Sequence, residues 1–448
     1  MSVRTRRRRY VAVAGALGLA LTVAACGDDD GDGGGGSTAE GCEAYSSYGT
    51  FDGASVNVYS SIRDIEQQRY EESFAKFEEC TGIDIAWEGT GEFEAQLQVR
   101  VDGGNAPDIA TIPQPGLLKT LVDKGAVKPS TDKIKAAATE NYPADWLKYG
   151  TIDGTLYAPP LGANVKSFVW YSPKMFADNG WKVPTTWQEL LTLSDTIAAK
   201  GIKPWCAGVE SGDATGWPAT DWLEDIMLRT AGPEKYDQWV QHAIPFNDPS
   251  VATALDEVGK ILKNPKYVNG GYGDVKSIAS TSFQDGGLPI LDGKCAMHRQ
   301  ASFYANQWPE GTKVGEDGQV YAFYFPAADA SSKPVLGGGE FLASFNDKPE
   351  TEAVVQLFTS TDWVNEKAKL GDWITANKTL DVANVKNPVD KLSVEILQDP
   401  NAVFRFDGSD LMPGAVGAGS LWKGMVNWIT GKSTADVLSA VEASWPKS

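Results

Sequence analysis

The sequence predicts an α/β protein built as two lobes. Strand-like and helix-like segments alternate from Ala54 to Lys124 with short loops, which predicts parallel strands joined by right-handed crossover helices. The 448 residues exceed what one hydrophobic core normally contains and suit two or three domain-sized units. A turn at Asp153 and Gly154, followed by two prolines and Gly162, precedes a long β-prone run. Such a segment is typical of a chain leaving one lobe for another.

The first 25 residues have the pattern of a secretory signal peptide. Arg4 and the run 6–9 form a charged region, and the apolar run that follows is too short to span a bilayer. Val23-Ala-Ala-Cys26 resembles the bacterial lipobox, in which the cysteine is acylated and becomes the first residue of the mature protein. The alternative is an ordinary signal peptide that is cut near a cysteine. Residues 26–50 are therefore expected to hold a lipidated Cys26 and a flexible linker rich in Gly and Asp.

Charge and hydropathy exclude several kinds of partner. The net charge of −19 repels phosphate backbones and anionic headgroups, so nucleic acid is not an expected partner. After the leader, no apolar run reaches the ~18 residues of a spanning helix. Membrane contact is therefore expected through the lipid alone.

Four cysteines remain once Cys26 is assigned to the lipid. In an oxidising compartment they predict two disulfides, and three pairings are possible. We prefer Cys42 with Cys80 and Cys206 with Cys295, because each pair then lies within one lobe. The chain has only two histidines, and its cysteines do not supply the pairs at zinc-ligand spacing that a zinc site needs. Neither a metal nor a cofactor is therefore expected.

Within the first lobe, three β-α units are predicted in order. The expected strands are 54–59, 83–87 and 108–112, and the expected helices are 64–80, 92–102 and 116–124. In parallel sheets a ligand lies beyond the carboxyl ends of the strands. The loops expected at the site are therefore 60–63, 88–91 and 113–116.

The rest of the chain continues the alternation of helices and strands. A strand is predicted at 165–171, and a turn with a strand in 286–303. Helices are predicted at 187–200, 221–230, 250–262, 350–361, 422–430 and 434–443.

Several motifs occur in the order found in family 1 extracellular solute-binding proteins, the sugar-capturing lipoproteins of ABC importers. The motifs are the lipobox with its linker, Val56-Asn-Val-Tyr-Ser-Ser61, Ala106-Pro-Asp-Ile109, Gly154-Thr-Leu-Tyr-Ala-Pro-Pro160 and Gly293-Lys-Cys-Ala-Met297. The resemblance spans residues 21–448. Segments 214–222, 297–303 and 405–413 are most similar to the alpha-glucoside-binding branch. In that family a glycan-stacking tryptophan usually follows six residues after the Met, and here Phe303 stands at that position.

The resemblance implies a type II periplasmic-binding-protein-like fold with the ligand cleft between the lobes. We expect residues 51–162 plus 328–375 in lobe 1 and residues 163–327 plus 376–448 in lobe 2. The implied protein is a monomer anchored by its lipid to the outer face of the cytoplasmic membrane. Its implied partners are a saccharide and an ABC permease with its ATPase, supplied in trans.

A sugar presents hydroxyl groups at its rim and C–H groups on its face. Carboxylates, amides and arginine suit the rim, and aromatic rings suit the face. Trp217-Pro-Ala-Thr-Asp-Trp222 combines both kinds of group; the alternative assigns Trp222 to the core and Asp221 to a helix cap. Arg299 and an Arg405–Asp407 pair have ordinary ion pairs as their alternative. The candidate ligand-binding residues are Ser61, Arg63, Thr90, Gln114, Trp217, Asp221, Trp222, Arg299, Phe303, Gly338, Glu340, Arg405 and Asp407.

The alternative function is a lipid-anchored glycoside hydrolase. Asp221 with Glu224, or Asp407 with Asp410, could supply an acid and a nucleophile if they lay ~5 to 10 Å apart across the scissile bond. Carboxylates three residues apart are common on any acidic helix, and the resemblance is to a non-catalytic receptor. The sequence therefore favours a binding protein that is not an enzyme.

Overall fold

The computed structural model describes residues 41–329 and 331–447, so the predictions for the leader, for Cys26 and for most of the linker lie outside it. Strands and helices alternate through the described part of the chain. The strands are β1 Ala54–Ser60, β2 Ile83–Gly89, β3 Ile109–Ile112, β4 Thr151–Ile152, β5 Thr155–Leu156, β6 Asn164–Val165, β7 Phe168–Tyr171, β8 Lys203–Cys206, β9 Cys295–Arg299, β10 Tyr321–Tyr324, β11 Lys333–Gly338, β12 Phe341–Ser344 and β13 Ala402–Phe406.

The helices cover the sheets and supply the turns around the cleft. They are α1 Asp64–Thr81, α2 Phe93–Asp102, α3 Pro115–Asp123, α4 Asp132–Asn141, α5 Ala144–Leu147, α6 Pro173–Asn179, α7 Trp187–Ala199, α8 Trp217–Thr230, α9 Pro233–Val240, α10 Pro249–Leu262, α11 Pro349–Phe358, α12 Thr361–Lys369, α13 Pro388–Gln398, α14 Gly408–Leu411, α15 Trp422–Ile429 and α16 Thr434–Ala443. Among residues 41–329 and 331–447, none of these helices combines the length and the apolar character needed to cross a bilayer.

The first sheet has the strand order β2-β1-β3-β12. β1 is parallel to β2 and β3, as predicted, and β12 is antiparallel to β3. Successive residues of β1 face opposite sides of the sheet, so Val58 joins one core with Phe74 of α1, whereas Tyr59 stacks on Phe93 of α2 at 5.3 Å between ring centroids. The sheet is therefore covered on both faces, as parallel strands require.

The second sheet has the order β10-β7-β9-β8 and is also buried on both faces. Val169 and Trp205 face a core formed with α8 and α10, whereas Phe168 and Trp170 face a core on the opposite side. Both indoles are fully buried. Because every residue of β7 is buried, its sequence reads as a continuous apolar run rather than as an alternation.

A third, smaller sheet connects the two larger ones. Its order is β13-β11-β6, and β11 is followed after two residues by β12 of the first sheet. The strand predicted over 165–171 is therefore two strands, β6 in this sheet and β7 in the second sheet. The result is the expected two-lobed α/β architecture of type II periplasmic binding proteins.

Both disulfides have the preferred pairing. Cys42 joins Cys80 near the end of α1, with 5.4 Å between their Cα atoms. Cys206 joins Cys295, linking the neighbouring strands β8 and β9 at a Cα separation of 5.8 Å. Each bridge thus ties segments that are already adjacent in one sheet or one helix layer.

Two predicted helices were wrong in extent. Helix α8 begins at Trp217 and not at Asp221, because Gly216 adopts a positive φ of 116° and Pro218 is favoured in a first helical turn. Asp221 therefore lies inside the helix and is not its cap. The predicted helix 350–361 is interrupted after Phe358, and a new helix begins at Thr361 with the Ser360 hydroxyl as its cap.

Candidate functional site

A cleft runs between the ends of the two larger sheets. All three loops predicted from the first lobe reach it: residues 61–63 follow β1, Thr90 and Gly91 follow β2, and Pro113 and Gln114 follow β3. On the opposite side the cleft is lined by residues of α8, of the segment 283–307 and of α14. The carboxyl ends of the parallel strands therefore meet the second lobe, as the fold rule requires.

The second lobe presents an aromatic wall to the cleft. Trp217 is half-buried, and its ring lies 5.1 Å from that of Phe283 and 6.0 Å from that of Phe303, measured between centroids. The Lys166 ammonium lies 5.4 Å from the centroid of the Trp217 ring. Phe283 is not part of any motif that the sequence singled out, because no recognisable pattern surrounds it. Together the three rings form an apolar surface suited to the C–H face of a sugar.

Lys166, which the sequence did not single out, is the cation at the centre of the cleft floor. Its buried ammonium donates to Asp221 Oδ1 at 3.1 Å and to Asp407 Oδ2. Asp407 also accepts from the Ser409 hydroxyl at 2.8 Å and from the Asp410 amide at 2.9 Å. Burial alone raises the pKa of Asp407, but the attraction of Lys166 and these hydrogen bonds outweigh it and lower the pKa to about 2. Asp407 is therefore an ionised, fixed group of the cleft.

Three predicted site residues lie behind the cleft rather than on its surface. Arg299 is fully buried and donates to Asp221 at 3.1 Å and to Asp225. Trp222 is 3% exposed, and its ring packs against Trp205 at 5.2 Å. Asp221 holds Lys166 from below, so this layer positions the cleft floor. These contacts agree with the alternatives given in the sequence analysis: an ordinary ion pair for Arg299 and a position in the core for Trp222.

The predicted pairing of Arg405 with Asp407 does not occur. Arg405 Nε donates to Asp237 Oδ1 at 2.7 Å on the outer side of β13, whereas Asp407 has already left the strand and faces Lys166. Arg405 is absent from the lining of the cleft, whereas Asp407 lines it.

The triple glycine before Glu340 permits close backbone approach. A Cβ atom at Gly337 would lie 2.7 Å from the Asn164 carbonyl oxygen, and one at Gly339 would lie 2.3 Å from the Gly162 carbonyl oxygen. Gly338 packs against the Lys166 side chain, where a Cβ atom would meet Cε at 3.2 Å. Gly339 and Glu340 line the cleft, and Gly338 lies in the strand behind them.

The opposite end of the cleft is rich in carboxyl groups. Burial, followed by repulsion from Glu340, raises the pKa of Glu66 to about 8, and burial raises the pKa of Glu340 to about 7. Asp390 accepts a hydrogen bond from the Trp373 amide at 3.1 Å, and burial raises its pKa to about 8. The sequence singled out Glu340 but missed Glu66 and Asp390, because isolated acids on helices carry no motif.

Gln114 closes the floor on the side of the first lobe. It follows β3 and precedes Pro115, which begins α3, and its Nε2 donates to Glu94 Oε1 at 2.8 Å. This hydrogen bond fixes the Nε2 end of its side chain at the strand end. Arg63 lies against the loop after β2, where a Cβ atom at Gly91 would be 2.4 Å from the guanidinium. Ser61, Arg63, Thr90 and Gln114 thus form one rim of the cleft.

Within the part of the chain that the structure describes, no group of three or more His, Cys, Asp or Glu side chains is arranged to hold a metal ion.

The two-lobed fold and its cleft, walled by rings on one side and carboxyl groups on the other, define a ligand-binding protein of the periplasmic type. The chain belongs to the bacterial extracellular solute-binding protein family, whose model matches residues 64–382.

The relatives in this family have names that refer to small solutes. The chain is 40% identical over 410 residues to the osmoprotective compounds-binding protein GgtB of Synechocystis sp., covering 91% of this chain and 96% of that protein. It is 40% identical over 406 residues to the alpha-glucosides-binding periplasmic protein AglE of Rhizobium meliloti, covering 88% and 87%. A solved chitin oligosaccharide binding protein shares the fold with a TM-score of 0.74 at 20% identity, covering 88% of this chain and 98% of that one. These relatives are solute-binding proteins rather than enzymes.

Proposed function

We propose that this protein captures a sugar, an alpha-glucoside or another small oligosaccharide, and delivers it to an ABC permease with its ATPase. The observation that carries the proposal is the Trp217–Phe283–Phe303 wall opposite Glu66 and Glu340. A pyranose ring offers an apolar face to aromatic rings and hydroxyl groups to carboxylates. The printed name of the relative AglE, which refers to alpha-glucosides, supports this choice of sugar.

Capture requires both lobes, because the rings and the rim residues come from different sheets. In this proposal the sugar stacks on Trp217 and Phe303 while its hydroxyl groups bind Glu340, Gln114 and Asp407. Ligands can favour closure only through extra contacts in the closed form, and hinge closure around a ligand is typical of periplasmic binding proteins as a class. The remaining rim residues Ser61, Arg63 and Thr90 are proposed to contact the ligand as the lobes close.

The lobe boundaries belong to the same proposal: residues 51–162 plus 328–375 in lobe 1 and 163–327 plus 376–448 in lobe 2. The loops of the two lobes meet at the mouth of the cleft, where a Cβ atom at Gly212 would be 2.7 Å from the Gly91 carbonyl oxygen. Asp372, in the segment between the lobes, adopts a positive φ of 52° and is held by Arg69 and Asn387. These contacts support a hinge near residues 370–380.

Export and anchoring through Cys26 are proposed from the leader sequence. The proposed location is the outer face of the cytoplasmic membrane, and the proposed state is a monomer. A flexible, acidic tether would let the binding protein reach a permease nearby while the lipid retains it.

No contact that the described residues make in the site favours the alternative of a glycoside hydrolase. Asp221 and Glu224 are fully buried, and Glu224 accepts the backbone amides of Gly408 and Ser409 at 2.7 and 3.1 Å. Asp407 is engaged by Lys166 and Ser409. Carboxylates held in this way are not free to act as the acid or the nucleophile of a hydrolase.

Purified protein incubated with maltose, trehalose and sucrose tests the proposal. A rise in melting temperature without release of glucose supports a binding protein, since a ligand at 100 times its Kd stabilises the folded state by about 2.7 kcal/mol. Release of glucose supports the hydrolase. The absence of both responses to every saccharide would contradict both functions.

A further inference from the structure

Several buried polar atoms that line the cleft have no partner among the described residues. Two are amide oxygens, Gln114 Oε1 and Asn164 Oδ1, and the third is the Trp422 indole N–H. Gln114 is 4% exposed and Asn164 is 7% exposed, so both amide groups are largely removed from solvent, and a buried acceptor without a partner is costly. Asn164 lies beside the wall that carries Glu340, because its strand pairs with Gly338. The unpaired atom on this wall, Asn164 Oδ1, is therefore a hydrogen-bond acceptor.

Glu66 and Glu340 add further acceptors at the same end of the cleft. Within residues 41–329 and 331–447, neither carboxyl group makes a side-chain hydrogen bond or an ion pair within 4.0 Å, and both line the cleft. Each is near the Tyr70 hydroxyl, which itself accepts from Trp373 Nε1 at 2.9 Å. Two neighbouring acids without a counter-ion are costly to ionise, as their raised pKa values indicate.

The charged groups around this pair leave an excess of acid. The nearby cations are Arg69, which is paired with Asp372, and Lys367, which lies 4.5 Å from the Tyr70 ring centroid. Asp372 also acts on Glu66, Lys166 acts on Glu340, and Asp390 lies near Asp372, Lys367 and Arg69. Four carboxyl groups therefore face two adjacent cations at this end of the cleft.

Among the residues that the structure describes, the other end of the cleft offers no spare cation either. Lys166 is consumed by Asp221 and Asp407, with Asp410 at 3.9 Å. Arg63 lies 3.5 Å from Asp64 at the rim. An anionic ligand would thus enter an acidic cleft in which both lining cations already face carboxylates.

We propose that the cleft takes saccharides that carry a basic amine, and that Glu66, Glu340 and Asn164 Oδ1 bind the ammonium group. The inference rests on the proposed sugar-binding function and names the ligand class of the same site. An ammonium has three donors and no acceptor, so it matches three acceptors that lack donors. It also supplies a directly paired counter-ion, which neither Glu66 nor Glu340 has within 4.0 Å among the described residues. Uronic acids and sugar phosphates are excluded by the same charges.

This binding has a distinctive dependence on pH. Burial raises the pKa of both carboxyl groups in the free protein, to about 8 for Glu66 and about 7 for Glu340. A bound ammonium favours their ionised forms and lowers these pKa values, so binding releases protons. Affinity for the amine therefore rises as pH increases from 6 to 8, as long as the amine stays protonated. The affinity for a neutral sugar does not rise with pH in this way.

The test is isothermal titration calorimetry of the full chain at pH 6 and pH 8 in two buffers of different ionisation enthalpy. The ligands are trehalose, its 2-, 4- and 6-amino-deoxy analogues, and trehalose 6-phosphate. We expect at least one amino analogue to bind about tenfold more tightly than trehalose at pH 8, with proton release, and the phosphate not to bind. Glu340→Gln is expected to abolish the preference for the amine, whereas Glu310→Gln, an exposed control, leaves it unchanged.

Each outcome separates the inference from the function on which it rests. If trehalose binds and every amino analogue binds equally or more weakly, the ammonium site is wrong and the sugar-binding function stands. If an amino analogue binds and neutral disaccharides do not, the ammonium site stands and the alpha-glucoside assignment fails. If none of the ligands binds, both are contradicted.

Discussion

Lys166 donates a hydrogen bond to Asp221 behind the cleft and another to Asp407 in its lining, so one buried ammonium joins the two layers. Arg299 holds Asp221 from the other side. The polar floor of the cleft is thus fixed before any ligand arrives, which limits the reorganisation that binding requires.

Replacement of Lys166 should therefore be strongly destabilising. Lys166→Met leaves Asp407 buried without its counter-ion and leaves Asp221 with Arg299 alone, and we expect a loss of about 3–5 kcal/mol in the free energy of unfolding. Urea denaturation measures the loss. Lys174→Met is the matched control: Lys174 is exposed and pairs with Asp178 on the surface of α6, so it should change stability by less than about 1 kcal/mol. Equal effects of the two substitutions would contradict the assigned role of Lys166.

Removal of the Trp217 ring should weaken sugar binding. Trp217→Ala deletes the central ring of the aromatic wall, and we expect a loss of more than about 1 kcal/mol in binding free energy. Trp217→Phe retains a ring and should recover part of the affinity. Calorimetry with the best disaccharide of the panel measures both variants, and unchanged affinity in Trp217→Ala would remove this residue from the site.

Asp390 should make the protein less stable as pH rises. Burial raises its pKa to about 8, well above the value in an unfolded chain, so between about pH 4 and pH 8 the folded state binds more protons than the unfolded state. The free energy of unfolding then falls with pH through this window. Asp390→Asn should flatten that dependence and be more favourable at pH 8 than at pH 5, as measured by urea denaturation. A parallel pH dependence in the variant and the wild type would show that Asp390 does not contribute.

Loss of the disulfide in the second sheet should lower stability. Cys206 and Cys295 close a loop of 89 residues, and substitution of both by Ser should cost about 2–5 kcal/mol through the greater freedom of the unfolded chain. Thermal unfolding of the double variant, compared with the wild type under oxidising conditions, measures the effect. A melting temperature equal to that of the wild type would indicate that the bridge adds nothing to the sheet.

Cys26→Ser should release the protein from the membrane. Without the thiol there is no site for acylation, and the helices of the described part provide no other span. Fractionation of expressing cells should find the variant in the soluble extracellular or periplasmic fraction and the wild type with the membranes. A variant that stays with the membranes would contradict the lipobox interpretation but would leave the cleft unaffected.

Local sequence patterns predicted most of the fold but only part of the site. The parallel strands of the first lobe were predictable because periodicity is a local signal, and both disulfide pairings followed from the preference for bridges within one lobe. Helix α8 was placed too late because Gly216 and Pro218 together allow an earlier start than the Asp221 position suggested. Lys166 was missed because its three carboxylate partners come from α8 and the α14 region, far away in sequence.

Some of the predicted site residues line the cleft and others are buried in the core, and no local pattern in the sequence distinguishes the two groups. Trp217 and Trp222 belong to the same helix, five residues apart, yet one ring faces the cleft and the other packs in the core. A helix turns about 100° per residue, so residues five apart point in clearly different directions. Which of the two directions meets the cleft depends on how α8 packs against the second sheet.

The most direct test of the central claim is a crystal structure of the protein with its tightest-binding saccharide. We expect the sugar between the two lobes, with a pyranose face on Trp217 and polar contacts to Glu340. A sugar bound outside this cleft, or within it without contact to either residue, would contradict the proposed site.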